Sequence, residues 1–94
     1  MVFPTVVFQG EQCTVIKAVY QNGRTRLDLY CDGPYATATV NVPEVELEQG
    51  ETLIKNYAEN EGIFQVLLDA GIVEDTGKRA KSRFVEMPIV RVLI

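Results

Sequence analysis

Tyr35-Ala36-Thr37-Ala38-Thr39-Val40-Asn41-Val42-Pro43 alternates small or apolar residues with hydroxyl and amide residues at a period of two, the pattern of a strand with one face on a core. Ala36, Ala38, Val40 and Val42 are expected to face inward, and Tyr35, Thr37, Thr39 and Asn41 outward. Asp32-Gly33-Pro34 supplies a turn before the stretch and Pro43 stops it, so the strand has sharp ends. Its alanines leave shallow ground on which a helix can approach closely.

Just upstream, Asn22-Gly23 lies between two β-rich runs, Cys13 to Tyr20 and Arg24 to Cys31, and is a strong short-range hairpin signal. A two-residue turn there pairs Gln21 with Arg24, Ala18 with Leu27, Lys17 with Asp28, Ile16 with Leu29 and Thr14 with Cys31. That register collects Ile16, Ala18, Leu27, Leu29 and Cys31 on one face. It sends Cys13 to the other face, so both thiols are expected to be free. Closing the next turn with Cys31 opposite Ala36 continues the apolar face onto the alanine strand. The N-terminal run Val2 to Phe8 is β-prone but carries Pro4, which suits an edge strand with an irregular lead-in.

Downstream, Thr52 to Tyr57 reads either as a short strand or as an extended crossing segment. Ile63, Phe64, Leu67 and Leu68 then repeat at helical spacing, with Asn60 placed as N-cap and Glu61 at the positive end of the helix dipole. Gly71-Ile72 gives a Schellman-type stop. The basic stretch from Thr76 to Arg83 reads as a solvated loop, and Phe84 to Ile94 as a last strand in which Pro88 favours an edge position or a bulge. The fold class that follows is α+β, an antiparallel sheet of about four to six strands with one short α-helix packed on one face.

Ninety-four residues, 47% hydrophobic and 23% charged, suit a single domain spanning residues 1–94 with one core. No apolar run approaches the roughly 20 residues of a membrane span. The opening Met1-Val2-Phe3-Pro4 lacks the basic and apolar regions of a secretory leader, so the expected location is the cytoplasm. There is no histidine, which removes the histidine-based dyads and triads, and no metal or cofactor is expected. Gly77-Lys78 lacks the rest of a phosphate loop. Paired carboxylates would need a cleft that so small a core has little room for, and an enzyme is not expected.

The net charge of −4 has the wrong sign for direct binding to nucleic acid, and it is unevenly spread. Between residues 44 and 75 the acids Glu44, Glu46, Glu48, Glu51, Glu59, Glu61, Asp69, Glu74 and Asp75 face only Lys55. On one strand Glu44, Glu46 and Glu48 would form a row about 6.5 Å apart, near the phosphate spacing of a nucleic-acid strand. Such a row suits a cationic channel. It also suits a charged strand edge that resists aggregation. Lys78, Arg79, Lys81 and Arg83 read more simply as a solvated surface than as a phosphate contact. Tyr35 and Tyr57 suit an interface as well as a sheet rim.

Two segments together, Gly33 to Pro43 and Ile54-Lys55-Asn56-Tyr57-Ala58-Glu59-Asn60-Glu61-Gly62, resemble a family of small proteins carried by bacterial plasmids, conjugative elements and phages. The resemblance runs from about Thr14 to Val73. It implies a binding protein that inhibits host defence in an anti-CRISPR-like manner, and the acidic segment adds the expectation of a basic nucleic-acid-binding host protein as partner. The candidate contact residues are Glu44, Glu46, Glu48, Glu51, Lys55, Tyr57 and Glu59. The alternative is a structural or regulatory module that forms homodimers through an edge strand; neither reading needs a membrane.

Overall fold

The hairpin expected at Asn22-Gly23 is present in the computed structural model, which describes residues 3–94, but its loop holds three residues rather than two. Gly23 N donates to Tyr20 O (2.9 Å) and Tyr20 N to Arg24 O (2.8 Å), with Gly23 at φ 87°. This is a type I turn followed by a left-handed residue, the usual form of a three-residue hairpin loop. The odd residue slips the register by one. Strand β2 (Glu11–Val19) and strand β3 (Thr25–Tyr30) pair Thr14 with Tyr30, Ile16 with Asp28 and Lys17 with Leu27. Because side chains alternate faces, such a slip exchanges the inward set of one strand. Cys13 and Val15 join Leu27 and Leu29 in the core, and Ile16 and Ala18 pass to the other face.

Cys13 therefore stands across from Cys31, and the two form a disulfide with Cα atoms 4.7 Å apart. The expectation of two free thiols fails for the same reason as the register. Neither cysteine is free.

The alanine stretch serves two sheets instead of one. Strand β4 (Pro34–Thr37) closes the first sheet, of order β1-β2-β3-β4, whose other edge is β1 (Thr5–Phe8). Strand β5 (Thr39–Val40) opens the second, of order β5-β6-β8-β7, with β6 at Glu51–Ile54, β7 at Val73–Ser82 and β8 at Val85–Val92. Ala38 is the crossing point. Its N–H donates to Leu27 O and its carbonyl accepts from Lys55 N, both at 2.8 Å, so one residue ties the two sheets together. Strands that pass from sheet to sheet through a bend are the usual corners of packed sheets. Leu29 pairs with Ala36 and Asp28 with Thr37, which keeps Ala36 and Ala38 on the core side, two residues from the expected register. Thr39, expected outside, is buried beyond the crossing. Its hydroxyl is satisfied by Tyr20 Oη (2.8 Å) and Leu27 N (3.3 Å). Val2 of the N-terminal run lies outside the described residues. Pro4 precedes the edge strand β1 as a lead-in.

The basic stretch from Thr76 to Arg83 is not a loop. Through Ser82 it continues β7, which pairs with β8 at both ends and bulges between Asp75 and Arg79. Gly77 turns there at φ 83°, and its N–H bonds Asp75 Oδ1 at 2.9 Å. The ladder restarts with Arg79 opposite Pro88. A proline inside a central strand is tolerated at such a break because its missing N–H leaves no partner unmet. The bulge expected from Pro88 is thus found, on the facing strand.

Helix α1 (Ile63–Asp69) ends as its sequence indicates: Gly71 N bonds Leu68 O and Ile72 N bonds Leu67 O, both at 3.1 Å, the Schellman pair. Its start differs. Asn60 is not the cap; it sits in a 3-10 turn (Ala58–Asn60), 2% exposed, and donates from Nδ2 to Thr37 O at 2.7 Å. Asn56 Oδ1 instead accepts from Gly62 N (3.1 Å) and Phe64 N (3.0 Å), which satisfies two of the orphan donors of the first turn. The helix packs beside β1 and β7. Ile63 and Leu67 enter the main core with Val6, Phe8, Val15, Leu27, Leu29 and Ile54.

Two stability outcomes follow. Leu67→Ala, at a side chain with no exposure, should lower unfolding free energy by about 2–5 kcal/mol in urea titration. Denatured, unreduced protein should show no titratable thiol. Opening the disulfide, whose cysteines are 18 residues apart, should remove about 3 kcal/mol, read as the midpoint shift between oxidised and reduced protein.

Candidate partner-binding surface

With only two residues in β5, the chain needs residues 41–50 to return antiparallel into β6. This connection is a strap across the outer face of the second sheet. Val45 and Leu47 pack with Leu53, Met87 and Ile89 in a second, smaller core, while Glu44, Glu46 and Glu48 are exposed. The strap forms no strand, so the regular strand row expected for these acids is absent. The alternation of acid outside and apolar inside persists because Val45 and Leu47 still need cover.

Three groups hold the strap. The Arg24 guanidinium donates to Val42 O at 2.8 Å and to Val45 O. Glu48 and Glu51 exchange bonds around Gly50: Glu48 N donates to Glu51 Oε1 (2.9 Å) and Glu51 N to Glu48 O (3.1 Å). Lys78, from the β7 bulge, then straddles the Glu51 carboxylate, with Nζ 2.8 Å from Oε2 and 3.1 Å from Oε1. Oε2 receives this charge contact without a well-directed hydrogen bond. Lys78 also reaches Glu48 at 3.4 Å.

Glu51 is therefore an anchor, its side chain 1% exposed, and it presents nothing to a partner. Glu44 and Glu46 form no ion pair among the described residues. The other basic residues of the 78–83 stretch divide. Arg79 grips Asp75 with two bonds of 2.8 and 3.0 Å, which pulls the Asp75 carboxyl down to about 2, and it lies 5.5 Å from the Phe64 ring centre. Lys81 and Arg83 are exposed and make no such pair.

Lys55, Tyr57 and Glu59 come together beside the crossing. The Lys55 ammonium pairs with Glu59, which raises the lysine from its ordinary value and lowers the glutamate, and it sits 5.7 Å from the Tyr57 ring centre. They line one side of a groove of about 480 Å³ between the two sheets, with Tyr20, Tyr35 and Asn41 on the others. Tyr35 is fixed by its hydroxyl on Gln9 Oε1 (2.8 Å) and by an edge-on contact with Phe8. Asn41 is joined to Asn22 at 3.1 Å. Tyr20, Arg24 and Asn41 went unassigned in the sequence because each acts across the hairpin turn, and the turn's geometry is needed to bring them together.

Among the described residues no group of three or more cysteine, histidine or carboxylate ligands gathers for a metal, and no helix is long and apolar enough to cross a membrane. Comparison of the chain with protein-family models, with curated proteins and with solved structures found no match.

The Glu51 anchor has a signed pH dependence. Hydrogen bonding to Lys78 holds its carboxyl below the ordinary value of 4.5, against the opposing effect of burial. Its contribution to stability is thus present above that value and is lost as pH falls through the lowered one. In Lys78→Met the largest lowering influence is gone, and burial is opposed only by the Glu48 N–H bond and the charge of Arg91. The carboxylate then contributes less to folding than in the parent. Urea midpoints should show a variant less stable than the parent near neutral pH, with the gap narrowing as pH falls through the carboxylate range. A constant gap would mean that Glu51 is solvated.

Proposed function

We propose that this chain is a small mobile-element protein that binds and inhibits a basic, nucleic-acid-handling protein of a bacterial host, docking through the outer side of the 41–50 strap. The observation that carries this reading is the outward set of Glu44, Glu46 and Glu48 on a segment pinned from beneath by Arg24, Val45 and Leu47. A pinned acidic segment has little freedom left to lose on binding, and exposed carboxylates, of which Glu44 and Glu46 have no ion-pair partner among the described residues, steer a cationic partner. The neighbouring groove, with Lys55, Tyr57 and Glu59, adds the aromatic and hydrogen-bonding character of an interface centre. The resemblance of residues 33–43 and 54–62 to proteins of plasmids and phages supports the same class.

A binding role without catalysis is part of this proposal, and so is a host-cell cytoplasmic location. The Cys13–Cys31 bond weighs against that location, since disulfides persist in oxidising compartments and at particle surfaces.

The test is the triple change of Glu44, Glu46 and Glu48 to glutamine. Each should shift stability by only about half a kcal/mol, with the circular dichroism spectrum unchanged. Affinity for the basic protein captured from host lysate should fall, and its dependence on salt should flatten. Equal affinity and salt slope in a folded variant would remove the strap as the contact surface.

A further inference from the structure

β7 and β8 meet in a two-residue turn, Arg83-Phe84, closed by the Ser82–Val85 pair. Arg83 takes a left-handed φ of 56°, and Phe84 is 103% exposed, as open to water as the side chain can be. The strands beneath it are anchored by Ala80 and Met87, which belong to the second core. The tip is thus an exposed projection that carries one large apolar ring. Lys81 and Arg83 beside it form no ion pair among the described residues, although Glu86 stands across the ladder from Lys81, in a chain whose net charge is −4.

The same chain offers a receptor of matching character. The groove at the crossing is lined by Tyr20, Tyr35 and Tyr57, and its volume of about 480 Å³ leaves ample room for a phenyl ring. Glu59 lies on it, paired with Lys55 of the same groove. The acidic margin is supplied beyond Asn41, which leads directly into the strap that carries Glu44 and Glu46, both without ion-pair partners among the described residues. An aromatic tip flanked by cations and an aromatic groove beside carboxylates are complementary in shape class and in charge.

We propose that the Phe84 tip of one copy docks in the tyrosine groove of a second copy, with Lys81 and Arg83 against the acidic margin. The contact joins two different surfaces, so copies either pair reciprocally or add head to tail. Phe84 and Arg83 are of the types that dominate interface energetics when they fill a pocket. This inference stands apart from the host-partner reading, since both surfaces belong to this chain and the test needs no other protein.

The experiment is sedimentation equilibrium on the oxidised chain up to about 1 mM, at low and high salt, for the parent, Phe84→Ala, Asn41→Lys and an equimolar mixture of the two variants. Phe84→Ala keeps the groove and loses the tip. Asn41→Lys keeps the tip and places a repelling cation at the groove. The parent should associate, more weakly at high salt, and each variant alone should associate at least about tenfold more weakly. The mixture should recover association, because one variant brings an intact groove and the other an intact tip. Thr37→Lys, at another exposed groove position, serves as a second block if circular dichroism shows Asn41→Lys to be disturbed. A parent that stays monomeric, a Phe84→Ala variant that associates like the parent, or a mixture of folded variants that fails to recover would each overturn the proposal.

Discussion

One buried backbone, that of Ala38, sets the arrangement of everything else. Its N–H is used by β3 and its carbonyl by the segment that follows β6, so neither peptide group is left unpaired inside the protein, where the loss would amount to a desolvation penalty of about 1–3 kcal/mol. Ala38 has no exposure, and both sheets pass within hydrogen-bonding distance of it, which favours a small side chain. Because the chain leaves the first sheet there, β5 is short, and residues 41–50 must travel back over the second sheet. The strap follows from the crossing, and so does the groove, which opens where the two sheets part beside Thr37, Thr39 and Lys55.

The charge pattern has a similar structural origin. Arg24 is committed to two carbonyls of the strap, Lys78 to the buried Glu51, and Arg79 to Asp75. Arg26, Lys55 and Arg91 each face a neighbouring carboxylate. Exposed pairs of this kind contribute little stability individually, but they remove most cations from the surface field. Among the groups left outside these pairs are Glu44 and Glu46 on the strap and Lys81 and Arg83 near the tip, where Glu86 stands opposite Lys81.

Local signals in the sequence were the legible ones. Gly71-Ile72 specified the helix stop because the Schellman motif is complete within six residues. Asn22-Gly23 located the hairpin, yet the same dipeptide serves a two-residue and a three-residue loop. The difference of one residue exchanged the faces of β2 and hid the disulfide. The α+β class followed from the alternation of residues 35–43 and the amphipathic helix. Its division into two sheets did not, because nothing at Ala38 interrupts the period of two: the break is set by its N–H donating to β3 while its carbonyl accepts from Lys55 beyond β6. Likewise Thr76 to Arg83 is polar enough to read as a loop, and only the pairing with β8 makes it a strand. Among the candidate site residues, the exposure of Glu44, Glu46 and Glu48 was readable from their alternation with Val45 and Leu47. The burial of Glu51 was not, since its partner Lys78 lies 27 residues away.

The strap and the groove differ in what they can contribute to binding. Exposed carboxylates act at a distance, through a field that reaches about 8–10 Å at ordinary salt, and so govern how fast a cationic partner arrives. The tyrosines act only on contact, where desolvated aromatic surface and directed hydroxyls govern how slowly a partner leaves. Val40 and Asn41 belong to the groove wall and lead without a break into the strap, so the two properties are adjacent on one surface. The Arg24 clamp fixes their relative position: it starts from the turn that also places Tyr20 and Asn22, and it ends on the carbonyls of Val42 and Val45. Loosening that clamp would leave the charges and the aromatic rings in the chain while removing their alignment, which makes Arg24 a positioning residue for both halves of the surface.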